Sequence, residues 1–456
     1  MAMDEGNRGE AEELVHTQAN CLHQKNFGEM GEILSEAAEK KAKKLDKIRK
    51  EVEKLTEETV SSFRLAGDAY SSNHAFDHAL AAYKRALEYT SKKMLPHLWA
   101  AIVTQIGKAY HELGIRVEEP ALNHYLSAAV DAYRQALDVQ SQEELFQDWA
   151  RAQTYLGAAL QEQGVRLGGE AGQRLLDEAV MAYQQALEVQ TQGHLPQDWA
   201  RTQTQLGTAL REQGIQLGGE VGRRLLDKAV IAYQQALEVQ TLKAFPWIWT
   251  QTQQHLAHTY LALGAWLKAA TSFAQLLQVH PDNGEAYYTA SLLYHEKLLN
   301  FEEAFSLSQQ WLDLHPEDLE AHSQLVEQCF TTGRFAKAIE YLTALLVNPE
   351  LEIQMRIPLQ AFEIAALLIL GPSKSVSKKF RSLCIIIASQ PADFSLGWTF
   401  IGTKHFISRD ERLLPYRSWL LNLFTALEEK DRNAILVSLG ESVPLIFDPE
   451  ENHPHT

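Results

Sequence analysis

LPQDWARTQTQLGTALREQG, residues 195–214, repeats LFQDWARAQTYLGAALQEQG, residues 145–164, at an offset of fifty, and fifteen of the twenty letters agree. Working outward, AYKRALE (82–88), AYRQALD (132–138), AYQQALE (182–188) and AYQQALE (232–238) keep the same interval. So do Trp99, Trp149, Trp199 and Trp249, and Gly107, Gly157 and Gly207, with Ala257 in the fourth slot. A fixed internal period marks a repeat array, in which one unit cannot bury its own apolar face and neighbours of the same shape bury it. The opening string is therefore architecture, and its tryptophan is read as core.

Each unit reads as two helices. In the first, Trp199, Leu206 and Leu210 mark one face, with Ala200 and Gly207 small enough for a neighbour to approach. Pro196 suits a first turn that has no use for its missing N–H, and Asp198 suits the positive end of the helix dipole. Gly214 is a place where the helix can loosen, and Gly218–Gly219 is the stronger stop. The second helix carries Leu225, Leu226, Ala229, Ala232, Tyr233, Ala236 and Leu237, whose spacings of three and four define one buried stripe.

These residues resemble the tetratricopeptide repeat (TPR) family. The least modified match is Leu65–Ala66–Gly67, Tyr70, Ala79, Tyr83 and Ala86; a second is Ala269, Phe273 and Pro281. From Trp266 onward the period falls to about 34 residues, marked by Trp266, Phe301 and Phe335 and closed by Pro281, Pro316 and Pro349. The fifty-residue units exceed that pattern by sixteen residues, read as added helical turns on either side of a Gly-Gly loop, as in VRLGGEAGQRLLDE, and a lengthened approach to the next tryptophan. Such units are similar to the long TPRs of bacterial multidomain proteins, which adjoin caspase-like proteases or signalling NTPases. Weaker matches lie at Leu14, Phe27, Leu34 and Ala37, and at Trp398, Ile401 and Gly402.

The resemblance implies an all-α fold, a right-handed TPR α-solenoid of about eight or nine antiparallel helix pairs. The expected divisions are 1–59, a helical cap with a degenerate repeat and a basic helix; 60–249, the fifty-residue units; 250–350, the shorter units; and 351–456, a divergent helical cap.

The formal charge of −17, from 59 acidic and 42 basic residues, disfavours a nucleic-acid partner, because phosphate neutralisation needs a basic surface. Cys21, Cys329 and Cys384 offer neither a disulfide framework nor a zinc spacing. Cys384 is read as core. The acidic start MAMDEGNRGEAEEL does not read as a secretory signal, and the apolar run at 365–371 stops short of a membrane span. A cytoplasmic location is expected. No phosphate loop, HExxH or GxSxG occurs, and GPSKSVSKK at 371–379 lacks the spacing of the first. His255 and His258, at i and i+3, supply half a metal site without further ligands. No catalytic residue, cofactor or metal is expected.

Two features could carry binding. KKAKKLDKIRKEVEKL, residues 40–55, crowds eight basic residues onto one helix, and Leu45, Ile48, Val52 and Leu55 form a narrow apolar seam. It is expected to pack on the first repeats, with self-association through 40–59 as the alternative. The resemblance implies that first-helix residues line a concave groove. At those offsets stand Thr104, Gln105, Lys108 and His111; Arg151, Thr154, Tyr155 and Gln161; Arg201, Thr204, Gln205 and Arg211; and Gln254, His255 and His258. Amides, hydroxyls and arginines can bind an extended backbone and its carboxylates. The Lys and Asn with which some TPRs clamp chaperone tails are replaced here by Thr–Gln, Thr–Tyr, Thr–Gln and Gln–His. The expected function is a non-catalytic scaffold or adaptor for another protein, regulating a bacterial enzyme or defence-type assembly. The alternatives are a self-assembling structural protein, or a subunit whose activity lies in the C-terminal region.

Overall fold

The computed structural model describes residues 27–117, 121–139, 146–371 and 374–442. Leu14, Cys21 and the tail ENHPHT lie outside the described residues. The chain divides at 163/164 into two compact units. Among the described residues both are all-α, with no strand.

The first unit holds α1 (Phe27–Ser72), α2 (Phe76–Leu87), α3 (Pro96–Gly114), α4 (Ala121–Leu137) and most of α5 (Phe146–Leu167). α1 runs unbroken past the expected division at 59/60, so Phe27, Leu34 and Ala37 lie on one continuous helix. Its last turns pair with α2. Gly67 lies under the Tyr83 ring, where a Cβ would come within 2.5 Å of ring carbons, and Tyr83 Oη donates to Asp68 Oδ1 at 2.7 Å. Gly107 meets Tyr133 in the same way. The expected docking of the basic seam does not occur. Leu45, Ile48, Val52 and Leu55 are 67%, 48%, 55% and 58% exposed, because α1 meets the repeats only from Val60 onward.

In the second unit, α6 (Gly169–Val189), α7 (Pro196–Leu217), α8 (Gly219–Val239), α9 (Pro246–Ala262) and α10 (Trp266–Leu277) continue the pairs. The added residues are helical turns, as the period implies. α7 and α8 have 22 and 21 residues and are separated by Gly218 alone. Gly218 and Gly219 adopt φ of +60° and +56°, which a side chain would disfavour. Gly214 stays inside the helix. Its carbonyl faces Gly222 so closely that a Cβ there would lie 2.3 Å away. Tyr183, Tyr233 and Phe273 are fully buried, as are the flanking alanines. Trp99, Trp149, Trp199 and Trp249 are half-buried. A buried glutamine beyond α6 and another beyond α8 accept from the next first helix: Gln190 from Thr202 at 2.6 Å, and Gln240 from Thr252 at 2.8 Å.

The expected division at 249/250 falls within α9. Shorter pairs follow: α11 (Gly284–Leu292) with α12 (Phe301–Leu314), and α13 (Leu319–Thr331) with α14 (Phe335–Leu345). The last group is α15 (Ile353–Leu370), α16 (Lys374–Ala388), α17 (Ile401–Arg409), α18 (Arg417–Ala426) and α19 (Arg432–Ser442). The expectation that the apolar run stops short is corrected here. α15 continues unbroken for 18 residues at a mean hydropathy of 1.5, long and apolar enough by length and composition to cross a membrane. Half of it is buried in the protein. Phe362 on α15 packs against Phe330, Phe400 and Phe424, with ring centres 5.5, 6.0 and 4.9 Å away. Cys384 packs half-buried against the same core.

Candidate protein-binding cleft

The first-helix residues fall into two sets, one in each unit. In the first, Thr104 and Thr154 are buried, and their hydroxyls donate to the carbonyls of Ala100 and Ala150 at 2.9 and 3.0 Å. A threonine bonded in this way to the preceding turn has its hydroxyl engaged within its own helix. Gln105, Lys108, His111, Tyr155 and Gln161 are half-buried and Arg151 is exposed. The Lys108 ammonium lies 5.2 Å from the Tyr155 ring centre, and that ring stacks on Tyr133. Arg151 is 4.0 Å from Asp148.

In the second unit, Arg201 pairs with Asp198 at 2.6 Å. Thr204 Oγ1 lies 3.2 Å from Gln240 Oε1, and Gln205 is half-buried with its Oε1 unpaired. Arg211 bonds Glu212 at 2.6 Å and lies 3.2 Å from His255 Nδ1, whose ring stacks on Tyr233. Burial, reinforced by the Arg211 cation, pushes the His255 pKa down to about 4. Gln254 donates to Glu285 at 3.2 Å, and His258 lies 3.4 Å from the same carboxylate. Both histidines thus have other partners than a shared metal. Much of the row links one repeat to the next.

Through Glu285 the face continues onto α11, and there it opens. A cleft of about 320 Å³ is lined by Glu285, Tyr287, Tyr288, Trp311, Asp318 and Glu320. It shares Tyr288, Glu320 and Gln324 with a second of about 550 Å³, whose walls include Glu327, Glu352, Met355 and Trp398. Neither lining contains a lysine or arginine. Asp318 caps α13 by accepting from the Glu320 and Ala321 amides and takes the Trp311 indole N–H at 2.7 Å. Partial burial and then the Asp318 charge raise the pKa of Glu320, so this carboxylate already sits in a crowded negative field. A third cavity, of about 540 Å³, lies between α6, α7 and α8 and is lined by Met181, Leu206, Leu210 and Ile231, away from the row.

At the floor of the larger cleft the chain departs from regular α-helix. A π turn, Leu293–Lys297, brings both His295 and Glu296 inside. His295 Nδ1 lies 2.8 Å from Glu296 Oε1 and Nε2 lies 3.1 Å from Thr331 Oγ1. Glu296 Oε2 accepts the Gly402 amide at 3.1 Å, and Glu327 accepts the Trp398 indole N–H at 3.2 Å and the Thr403 hydroxyl. Burial lowers the His295 pKa, but Glu327 and Glu296 outweigh it and leave it raised; burial raises that of Glu327. The network bolts the segment 396–403 onto α11 and α13. A Cβ on Gly402 would lie 2.6 Å from the His295 carbonyl, so only glycine lets the two backbones meet.

None of the cleft residues belongs to the row read from the sequence. Continuing that row by about 35 residues leads from Glu285 to Glu320 and from Leu292 to Glu327. It ended at His258 because the unit length changes there. The approach of Trp398 and Thr403 from more than seventy residues away has no local signal.

No protein-family model matches the chain, and no curated protein matches it. Solved TPR structures are similar to it. The C-terminal part of a TPR repeat-containing protein from Cytophaga hutchinsonii is 14% identical over 70% of this chain and 98% of its own, with a TM-score of 0.41. A thermophilic TPR protein from Thermus thermophilus is 16% identical over 51% and 98%, with a TM-score of 0.35. The TPR2AB domain of yeast Sti1, in complex with pHSP90, is 14% identical over 71% and 98%, with a TM-score of 0.23. The chain's own registers of glycine, tyrosine and alanine make its helix pairs TPR-like.

Proposed function

We propose that the protein is a non-catalytic binding scaffold that takes a basic, extended segment of another protein into the acidic cleft of its second unit. It would thereby hold that partner for, or away from, an enzyme on another chain, in the cytoplasmic bacterial regulatory setting implied by the fifty-residue units. The supporting observation is the lining: Glu320, Glu327 and Glu352 around open volume, with Tyr288 and Trp398 beside them, no lysine or arginine, and His295 on the floor already engaged by Glu296. Carboxylates facing a shared space favour an entering cation, and ring faces add to the attraction for arginine or lysine.

The test is fluorescence anisotropy with a labelled peptide alternating arginine and alanine. Wild type should bind it, and Glu320→Lys with Glu352→Lys should weaken binding at least about tenfold, a loss of ~1.4 kcal/mol. An acidic peptide that binds as tightly, or full binding by the double variant, would sink the reading.

A second reading, a subunit whose activity depends on the C-terminal region, is favoured by one observation: buried His295, Glu296 and Glu327 place their ligand-type atoms within 4.8 Å of one another. Each already has hydrogen-bond partners, which suits a structural bolt. Equilibration with zinc or manganese followed by desalting and metal analysis separates the two, since a bolt retains no stoichiometric ion.

A further inference from the structure

Every residue of α1 from 35 to 55 is exposed. At 1.5 Å per residue that is a helix of about 30 Å left uncovered by the other described residues. Ion pairs within the helix, Lys40–Glu36, Arg49–Glu53 and Lys54–Glu58, support it, but none covers the seam of Leu45, Ile48, Val52 and Leu55. Spacings of three, four and three place these residues at a and d of a coiled coil.

The charges around the seam come in blocks. Residues 40–50 carry seven lysines and arginines against Asp46, and residues 51–58 carry four glutamates against Lys54. From this arrangement we infer that α1 pairs with α1 of a second copy of the chain, antiparallel, about a dyad at residue 50. Leu45 then meets Leu55 of the other copy, and Ile48 meets Val52. The basic block of each helix lies along the acidic block of its mate, and Lys44 faces Glu58 on both sides of the dyad. The dyad also sets Glu51 beside its own copy and Arg49 beside its own, two like pairs of opposite sign. Parallel pairing is worse: it superimposes like blocks over their whole length and sets Lys44 against Arg49. The occupant is therefore another copy with its chain reversed.

Sedimentation equilibrium of the full chain over a wide concentration range reads the state directly. Wild type should dimerise and Val52→Asp should remain monomeric; because position 52 is exposed, the repeats should keep their helicity. Lys44→Glu should weaken the dimer about tenfold, and adding Glu58→Lys should restore it. Orientation is read by oxidation, with wild type as the control for native cysteines. A Leu45→Cys, Leu55→Cys double variant should cross-link, whereas Leu45→Cys alone should not. A monomer at all concentrations, a dimer untouched by Val52→Asp, or efficient cross-linking of Leu45→Cys alone would each overturn the proposal.

Discussion

The fifty-residue units and the region 284–403 use the same helix-pair plan and reach opposite surfaces. In α7 and α8, long helices meet through glycine backbones, and polar side chains find partners at fixed intervals in the next unit: Thr202 with Gln190, Thr252 with Gln240. In α13 and α14, of 13 and 11 residues, the period is shorter, and the segment 396–403, which follows α16, bonds back to Glu327 on α13. Repetition lets one set of contacts solve every interface, which draws the polar face into the interior of the array. Where repetition stops, carboxylates remain around open volume. The regular part is thus the framework, and the irregular part is the candidate site.

The largest effects should come from backbone contacts, and they probe the two regions separately. Gly222→Ala would drive a Cβ into the Gly214 carbonyl, with no flexible side chain to yield. We expect a loss of ~2–4 kcal/mol in urea denaturation, as for overpacking that must shift a helix. Unchanged stability would mean that the repeats are not tightly fixed, and the comparison fails at its framework. In the other region, Glu327→Ala would leave the Trp398 indole and the Thr403 hydroxyl without their acceptor. The expected loss is ~2–3 kcal/mol from unpaired buried groups, with altered Trp398 emission and peptide binding. If binding survives while 396–403 loosens, that segment is no wall of the site.

This division of labour was half visible in the amino acids. The period of fifty, the buried tyrosines and alanines and the Gly-Gly stop at 218–219 were all legible, because they depend on contacts within a unit or between copies of it. The groove was legible only as a row of positions. Sequence spacing cannot show that Thr104 turns back to its own helix, or that Arg211 is drawn between Glu212 and His255. The cleft was hidden by the change of repeat length after Trp266, and its far wall arrives from residues 396–403. The seam of α1 was recognised, but its exposure was not, since nothing in a heptad says whether the partner lies in the same chain.

A smaller effect should follow from His255. Its pKa falls from the ordinary 6.5 to about 4, through burial and then the Arg211 cation, with His258 and Glu212 also facing it. The folded value lies below the unfolded one, so the unfolded chain takes up the proton first. The contribution to stability is complete above pH 6.5 and is lost as the pH falls toward 4. Discounted for partial exposure, the loss by pH 5 should be about 1–2 kcal/mol. His255→Gln should flatten that part of the stability–pH curve. A curve of unchanged slope in the variant would show that the histidine is not held neutral by the repeats.

The smallest expected effect bears most directly on the comparison, because it concerns the residues that sequence spacing favoured. Arg201 and Arg211 lie on one helix ten residues apart. Arg201 is 46% exposed and pairs with Asp198 three residues earlier; Arg211 is 16% exposed and lies between Glu212 and His255. An exposed pair of the first kind is worth ~0–0.5 kcal/mol. Arg201→Glu should therefore leave both stability and basic-peptide binding within error of wild type, whereas Arg211→Ala should cost ~1 kcal/mol by removing a partner from half-buried Glu212 and His255. Suppose instead that Arg201→Glu strengthened binding of the basic peptide, as an added negative charge on a contacted surface would. The row would then belong to the binding face, and the framework would be carrying the site after all.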